Sequence, residues 1–207
     1  APEDVWALKP ANLTFAQAAA VPMTAVTALQ GLRDKGKLQT SERVLINGAS
    51  GGVGTFAVQI AKALGGEVTA VASSRKLETA RALGADHLID YTLEDFTQNG
   101  QRYDLIFDVV GNRSVREYER ALGENGRFVT TAFLPSLLWR WRKNQKKMIN
   151  LMAQPKQVDL AYLARLAQNG KLSPVIDKCY PLAEVAEALR YLAKGHAKGK
   201  VIIQLTD

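Results

Sequence analysis

The sequence of 207 residues predicts an α/β fold with a doubly wound parallel sheet. From residue 43 onward, short apolar segments alternate with helical segments of about ten residues, as in successive strand–helix units. The apolar segments are almost uninterrupted, which is typical of strands covered on both faces. A glycine-rich segment separates the first of them from the helix that follows. We therefore expect the strand order 3-2-1-4-5-6, with a ligand crossing the carboxyl ends of the strands.

Composition narrows the class of protein. Hydrophobic residues make up 47% and charged residues 23%, which excludes collagen, coiled coil and disorder as descriptions of the whole chain. No run approaches the roughly 18 apolar residues of a membrane span, and no signal-peptide pattern is visible. The single cysteine, Cys179, excludes an internal disulfide and fits a reducing compartment. We therefore expect a cytoplasmic protein. With His87 and His196 as the only histidines, a Cys/His zinc cluster has almost no ligands, so we expect no metal site, and a carboxylate-rich site is the alternative that the counts leave open.

The excess positive charge of +7 is confined to one stretch. Residues 125–158 contain seven cations and no acid, so the rest of the chain is neutral. Within that stretch, residues 134–147 place two tryptophans beside five cations. A solvent-facing helix or loop whose tryptophans pack on the domain is the favoured interpretation. A mobile lobe over the substrate cleft, or contact with an anionic membrane surface or an acidic partner, stays open. Nucleic-acid binding is not expected, because no motif of such modules is present.

Each element follows from a local pattern. Thr14 and Gln17 form a capping box that predicts a helix to residue 20, and a second helix is expected over 23–34 between Pro22 and Gly36. Apolar runs predict strands over 43–47, 67–72, 87–90, 104–110, 127–132, 175–180 and 200–205. Helices are expected over 55–64, 75–83, 114–122 (ended by Gly123), 159–168 and 182–193. Residues 92–95 favour a short helix, and residues 148–153 fit either a sixth strand or a helix.

The glycine-rich segment, residues 49–54, fits the pattern G-x-G-x-x-G with alanine in the first position. Gly51 has no Cβ to block a pyrophosphate from backbone N–H groups, and Gly54 lets the next helix pack tightly on the first strand. The positive end of that helix favours an anion. Because no lysine stands between Gly54 and Thr55, the segment is not a triphosphate-binding P-loop. The sequence indicates a dinucleotide site; a glycine-rich turn without a ligand is the alternative.

The residues after the second strand indicate which dinucleotide is preferred. An NAD site usually places an acidic residue there, to bind the ribose 2′-hydroxyl. This chain instead has Ser73, Ser74, Arg75 and Lys76, and its first acid is Glu78 in the next helix. Hydroxyls and cations suit a 2′-phosphate, so we expect NADPH rather than NADH. The alternative is that Arg75 and Lys76 form a solvated first helical turn.

Several segments together resemble a known family. They are residues 9–15 (KPANLTF), 18–20 (AAA), 27–30 (TALQ), 44–54 (VLINGASGGVG), 83–87 (LGADH), 108–111 (DVVG) and 195–201 (GHAKGKV). They are similar to the medium-chain dehydrogenase/reductase superfamily and its zinc-independent quinone oxidoreductase branch. The resemblance implies a Rossmann fold with flanking segments that belong to an incomplete second domain. Residues 1–40 would be a helical lead-in, 41–170 the dinucleotide-binding domain and 171–207 a return segment toward the GroES-like substrate domain, which is missing.

The resemblance also implies roles for particular residues. Met23 stands where zinc-dependent relatives place a zinc-binding cysteine, so no zinc is expected. The pyrophosphate would be held by Gly51, Gly52, Val53 and Gly54, and the 2′-phosphate surrounded by Ser73, Lys76 and Tyr91, with Ser74 and Arg75 beside them. The nicotinamide and its ribose would be lined by Gly111, Asn112, Ala132 and Phe133, with Thr27 approaching the ring and Lys200 reaching the phosphates. No catalytic residue or proton donor is indicated.

The implied activity is hydride transfer from NADPH to a small-molecule quinone or α,β-unsaturated carbonyl. Two alternatives stay open: a non-catalytic dinucleotide-binding module, and an NAD(P)-dependent alcohol dehydrogenase, which would ordinarily need zinc. The resemblance also implies a homodimer formed by edge-to-edge extension of the sheet.

Overall fold

A computed structural model describes residues 2–132, 147–195 and 197–205 of the chain. Its centre is a six-stranded parallel sheet in the order β3-β2-β1-β4-β5-β6, which confirms the predicted fold class and strand order. The strands are β1 (Arg43–Asn47), β2 (Glu67–Ala72), β3 (His87–Asp90), β4 (Tyr103–Asp108), β5 (Leu122–Thr130) and β6 (Lys147–Asn150). A second sheet of two parallel strands consists of β7 (Ile176–Pro181) and β8 (Lys200–Gln204).

Helices cover both faces of the large sheet. The α-helices of the described residues are α1 (Phe15–Ala20), α2 (Pro22–Leu29), α3 (Gly52–Ala63), α4 (Leu77–Ala82), α5 (Val115–Ala121), α6 (Gln157–Gln168) and α7 (Val185–Ala193). Of these, α1 contacts β8, and α7 packs on the small sheet of β7 and β8. Alternate residues of β1 show the double covering. Val44 and Ile46 belong to the core cluster that contains residues of α2, α3 and α6, whereas Leu45 belongs to the cluster that contains residues of α5. All three are completely buried, as the apolar run predicts.

The lead-in to the sheet is fixed by a helix cap and by an ion pair to a buried carboxylate. The capping box of Thr14 and Gln17 is confirmed at the start of α1. After α2 the chain continues through a π-helical turn, Gln30–Lys35. From this turn Arg33 Nη2 and Gln30 Nε2 donate to the carboxylate of Asp159 at 2.6 and 2.7 Å, and Asp159 is only 1% exposed. The carboxylate therefore fixes α6 against the helices of the lead-in.

Several element boundaries differ from those predicted. Helix α3 begins at Gly52, not at residue 55, so the end of the glycine-rich segment is itself helical. The helix expected over 75–83 is a 3₁₀ turn, Ser74–Lys76, followed by α4. Helix α5 ends at Ala121 and β5 begins at the next residue, so Gly123 lies within the strand and does not end the helix.

The short helix expected over residues 92–95 is wrong. The carboxylates of Asp90 and Asp95 accept the N–H groups of Thr92 and Thr97, each at 2.9 Å, and the segment forms turns. Aspartate side chains compete in this way with helical hydrogen bonds. Strand β4 likewise ends at Asp108 and not at residue 110, because its carboxylate accepts the N–H groups of Val110 and Gly111.

The remaining expectations divide between the described residues and those outside them. The segment 148–153 contributes the strand β6, at an edge of the sheet. Residues 133–146, most of the basic segment, lie outside the described residues, so its interpretations stay predictions. The division at residues 40 and 170 and the homodimer also stay predictions. No helix within the described ranges has the length and apolar character needed to span a bilayer.

Replacing Gly54 by alanine should strongly destabilise the fold. A Cβ there would stand 2.0 Å from the Gly48 carbonyl oxygen and 2.7 Å from the Ala49 backbone, so α3 would have to move. We expect Gly54→Ala to lower the free energy of unfolding by about 3 kcal/mol, measured by urea denaturation. Gly123→Ala is the matched control, because the nearest atom to its Cβ would be Tyr103 O at 3.5 Å. Equal midpoints for the two variants would contradict this account of the packing.

Candidate nucleotide-binding cleft

A cleft of about 470 Å³ opens at the carboxyl ends of the strands, beside β1 and β4, where the strand order reverses. Loops from distant parts of the sequence contribute to it. Its lining consists of Asn47, Gly48, Ser50, Gly51, Gly52, Val53, Lys76, Tyr91, Val109, Val110, Asn112, Thr131, Gly195 and Ala197. Parallel α/β sheets bind ligands at this position, because the strand ends and the helix N-termini converge there.

The turn after β1 is shaped for close approach of a ligand to the backbone. Gly48 has a φ of +88°, and a Cβ at Gly48 would stand 2.6 Å from the side chain of Val110. A Cβ at Gly51 would meet no atom nearer than the Gly48 carbonyl oxygen, at 3.7 Å, so the space in front of Gly51 is open. Gly51 is also the N-cap of α3, and no side chain caps this helix end. The first N–H groups of α3 are therefore available to an anion.

The turn after β4 is held by a buried carboxylate. Asp108 is completely buried and accepts hydrogen bonds from Asn47 Nδ2 and Thr130 Oγ1, both at 2.8 Å, and from Gly111 N at 3.1 Å. Asn47 Nδ2 also donates to Asn112 Oδ1, at 3.0 Å. The ends of β1, β4 and β5 are thereby linked to the loop that carries Asn112. Since a buried charge needs such partners, the loop has little freedom to move.

A buried tyrosine extends the same network. Tyr118 in α5 is completely buried, and Asn47 Nδ2 donates to its hydroxyl at 3.3 Å. Burial raises the pKa of Tyr118, and the nearby Asp108 carboxylate raises it further. The phenol is therefore a neutral structural group at neutral pH, not an acid–base group of the cleft.

Lys76 and Tyr91 mark the far end of the cleft, beyond β2 and β3. Lys76 Nζ donates to the Ala197 carbonyl oxygen at 3.1 Å. Partial burial lowers the pKa of Lys76, and the Asp177 carboxylate opposes this shift. Tyr91 is 51% exposed. Both side chains are thus within reach of a ligand that lies over the ends of β2 and β3.

The structure places the predicted site residues in three groups. Those on the cleft are Gly51, Gly52, Val53, Lys76, Tyr91 and Asn112. Those not among its lining residues are Thr27, Gly54, Ser73, Ser74, Arg75, Gly111, Ala132 and Lys200. Phe133 lies outside the described residues. The ligand roles themselves stay predictions in every case.

Four residues off the lining have a definite alternative place. Gly54 lies beneath the turn after β1, where the absence of a Cβ lets α3 pack closely on the backbone of Gly48 and Ala49. The hydroxyl of Thr27 donates to Met23 O within α2, at 2.7 Å. The hydroxyl of Ser74 donates to the Asp90 carboxylate. Lys200 extends its aliphatic chain over Gly52, since a Cβ on Gly52 would lie 3.1 Å from Lys200 Cδ.

Some lining residues were not anticipated. Asn47 carries a visible signal, a polar residue that closes an apolar strand just before the glycine turn. Thr131 carries a weaker one, since it directly follows β5. Gly195 and Ala197 belong to the family-like segment 195–201, but nothing local to them indicates a place on the cleft, because only the folded C-terminal segment brings them there.

The family of the chain follows from comparison with known proteins. A family model described as zinc-binding dehydrogenase matches residues 83–203. The chain belongs to this family, within the medium-chain dehydrogenase/reductase superfamily. The resemblance stated from the sequence is thereby confirmed. Among the described residues, no group of three or more His, Cys, Asp or Glu side chains is placed to hold a metal ion.

Similar proteins are oxidoreductases by name. A chloroplast envelope quinone oxidoreductase homolog of Arabidopsis thaliana is 31% identical over 99% of this chain and 66% of its own length. An NADPH-dependent alkenal/one oxidoreductase of Arabidopsis thaliana chloroplasts is 34% identical over 97% of this chain and 50% of its own length. A mitochondrial NAD(P)H oxidoreductase of Mus musculus is 34% identical over 95% of this chain and 57% of its own length.

A solved structure gives the same result. The quinone oxidoreductase from Coxiella burnetii superposes with a TM-score of 0.89 at 31% identity, over 97% of this chain and 64% of that chain. The present chain thus spans between half and two thirds of the length of these relatives. The cytoplasmic location expected from the sequence stays a prediction, since some of these relatives are chloroplast or mitochondrial proteins.

Replacing Asp108 by asparagine should disrupt the turn after β4. One acceptor oxygen would become an NH₂ group facing the donors of Asn47, Thr130 or Gly111. We expect Asp108→Asn to lower the free energy of unfolding by about 2–3 kcal/mol in urea denaturation. Thr130→Ser keeps the hydroxyl donor and serves as the matched control, with a smaller loss. A midpoint for Asp108→Asn equal to that of the wild type would show that the carboxylate is not needed for the fold.

Proposed function

We propose that the chain is the cofactor-binding part of an NADPH-dependent oxidoreductase that reduces a quinone or an α,β-unsaturated carbonyl compound. The observation that carries this proposal is the cleft itself, with open glycine backbone and the uncapped N-terminus of α3 at its centre and Lys76 at its far end. The names of the relatives, which include quinone and alkenal/one oxidoreductases, support the substrate class.

A nicotinamide dinucleotide fits the residues present. The pyrophosphate would be held by the backbone N–H groups of Gly52 and Val53, because the N–H group of Gly51 donates to the Gly48 carbonyl oxygen at 3.2 Å. The space in front of Gly51 is open to the ligand. When bound, such a cofactor supplies the hydride. The chain's own contribution is to bind and orient it. Asn112, which accepts a hydrogen bond from Asn47, would position the nicotinamide end of the cofactor. Val109 and Val110 would limit the access of water to that end.

The preference for NADPH over NADH rests on the charges at the far end of the cleft. Strand β2 ends without a carboxylate, and Lys76 reaches the cleft just beyond it. The carboxylate nearby, Asp90 at the end of β3, already accepts hydrogen bonds from Ser74 and Thr92. A ribose 2′-phosphate would therefore meet an ammonium group, and a free 2′-hydroxyl would lack its usual acidic acceptor.

The positions of the ionisable side chains in the cleft support the proposal that this chain binds the cofactor and does not supply the proton to the acceptor. Among the described lining residues, only Lys76 and Tyr91 have ionisable side chains, and both lie at the end of the cleft proposed for the 2′-phosphate. We infer that the proton for the reduced acceptor comes from solvent or from a part of the protein outside this chain. We also propose that the reaction needs no zinc, because polarisation of the acceptor by a metal would require ligands that the described residues do not group together.

Paired titrations of the chain with NADPH and NADH, followed by nicotinamide fluorescence, test the cofactor proposal. We expect NADPH to bind roughly tenfold more tightly, because a charge-assisted hydrogen bond from Lys76 forms only with the 2′-phosphate. Lys76→Met should reduce this preference to near unity. Lys171→Met, which removes an equal charge from an exposed lysine outside the cleft lining, should leave it unchanged. Equal affinities in the wild type would overturn the cofactor preference.

Turnover separates the oxidoreductase from a non-catalytic nucleotide-binding module. With NADPH and a simple benzoquinone, we expect oxidation of NADPH, detected as loss of nicotinamide absorbance. Gly51→Val, whose side chain would fill the open space at the helix N-terminus, is expected to abolish both binding and turnover. NADPH binding without turnover in the wild-type chain would favour the binding module.

A further inference from the structure

A buried glutamine on α3 pairs with the backbone of a residue that lies 114 positions away in the sequence. Gln59 is 7% exposed. Its Oε1 accepts the N–H group of Ser173 at 2.7 Å, and its Nε2 donates to the Ser173 carbonyl oxygen at 3.0 Å. The same nitrogen also donates to Thr55 O within α3, at 2.9 Å. Both amide hydrogens of Gln59 are therefore engaged, and two of its bonds hold Ser173 as a neighbouring β-strand would.

Ser173 stands just before the C-terminal unit, defined here as residues 175–195 and 197–205, which contains β7, α7 and β8. None of the described residues of this unit belongs to either hydrophobic core cluster of the protein, whereas Leu172, next to Ser173, does. On α7, Leu189 and Leu192 are 60% and 44% exposed. Core packing thus contributes little to holding the unit, and its position depends on directed contacts such as the one with Gln59.

The position of the C-terminal unit affects the cleft. The unit contributes Ala197 to the cleft lining, three residues before β8 begins. The path from Ser173 to this part of the unit is short, because Val175 O accepts Lys200 N at 2.9 Å. The start of β8 lies in turn against the first residue of α3, since a Cβ on Gly52 would stand 3.1 Å from Lys200 Cδ. A shift of the unit at Ser173 would therefore move one wall of the cleft.

A second buried glutamine makes the same pairing in a place that does not lead to the cleft. Gln30 is also 7% exposed, its Nε2 donates to Gln154 O at 2.6 Å, and its Oε1 accepts Gln154 N at 3.0 Å. With its bond to Asp159, the Gln30 side chain makes three hydrogen bonds, as many as that of Gln59. Gln154 lies between β6 and α6 and is not among the described lining residues. The two glutamines therefore hold the segments at the two ends of α6, and Gln30 provides a matched control.

We propose that Gln59 is a positioning residue that sets the place of the C-terminal unit and, through it, the shape of the cleft. Gln59 is not among the described residues that line the cleft, so it acts through Ser173. Without the pairing, the unit would occupy several positions, and a ligand would have to select the one in which the wall is complete. The expected loss of cofactor affinity rests on the proposed function, whereas the position of the unit is measurable without a ligand.

Distances between two spin labels test the proposal on the ligand-free chain. The only cysteine, Cys179, is exposed on β7 and carries the first label, and Arg116→Cys on the exposed surface of α5 carries the second. Gln59→Met removes the pairing with Ser173 and keeps a side chain of similar length. We expect it to broaden the distance distribution by roughly twofold or more, because the unit loses a directed contact. Gln30→Met should leave the distribution unchanged.

Hydrogen exchange shows whether the variants stay folded. In Gln59→Met, the N–H group of Ser173 should exchange roughly tenfold faster or more, because its acceptor is gone, while the N–H group of the completely buried Leu45 in β1 stays protected. Gln30→Met should have the reciprocal effect, at Gln154 and not at Ser173. Gln59→Glu is measured in parallel, since it keeps the length and an acceptor oxygen but has no N–H group for Ser173 O. This variant should broaden the distance distribution as well.

Titration with NADPH connects the position of the unit to the cleft. Gln59→Met should weaken binding by about fivefold, and Gln30→Met by less than about twofold, because only the first variant loosens a wall of the cleft. An equal loss of affinity in the two variants would reflect general destabilisation and would overturn the link between Gln59 and the cleft.

The distances and the affinities separate this inference from the proposed function. Unchanged distances in folded Gln59→Met and Gln59→Glu would overturn the positioning role. Broadened distances with unchanged NADPH affinity would overturn only the link to the cleft. Failure of the wild-type chain to bind NADPH would overturn the proposed function, and the distances alone would then decide whether Gln59 positions the C-terminal unit.

Discussion

The structure depends above all on the contact between α3 and the turn after β1. The space at Gly54 is so small that a single Cβ would overlap the Gly48 carbonyl oxygen. This contact seats the helix directly on the first strand, and two consequences follow. The apolar face of α3 reaches the central core, where Phe56 and Ile60 are completely buried. The N-terminus of the helix also reaches the cleft, where its first N–H groups face the proposed ligand position. Stability and the proposed binding would thus rest on the same close approach.

The turn after β4, which forms another wall of the cleft, is held in place by hydrogen bonds to a buried carboxylate rather than by close packing. Asp108 is buried without a cationic partner among the described residues, yet its oxygens accept bonds from Asn47, Thr130 and backbone N–H groups. A carboxylate satisfied in this way is stable only if every donor stays in place. The loop that carries Asn112 is therefore held rigidly, because hydrogen bonds join it to the ends of three strands. Such rigidity is what an orienting site needs, since small displacements of a reacting group have large effects on rate.

Most of the fold could be predicted from local patterns in the sequence. The capping box at Thr14 fixes the start of α1 through interactions within a few residues, and the apolar run of β1 indicates a strand buried on both faces. The right-handedness of parallel connections then limits the strand orders that are possible. Residues 92–95 show where local patterns fail, because Asp90 and Asp95 bind the backbone in turns that compete with a helix. The cleft was predictable only in part. The glycines of the cleft are recognisable in the sequence. Ala197 reaches the cleft only through tertiary folding, and no sequence spacing predicts its contact with Lys76.

In the proposed function, the arrangement of charges separates recognition of the cofactor from reduction of the acceptor. The titratable groups on the described lining lie at the end where phosphates would bind, and the opposite end is lined by valines, an asparagine and a threonine. An ion pair discriminates strongly between ligands that differ by one phosphate, whereas neutral polar and apolar groups mainly orient and exclude water. A binding part built in this way can be selective for its cofactor while leaving the acceptor open. Under this proposal, the identity of the acceptor would be decided by surfaces that approach Val110 and Thr131 from outside the cleft. The same cofactor-binding part would then suit different acceptors, in keeping with relatives named for quinones and for alkenals.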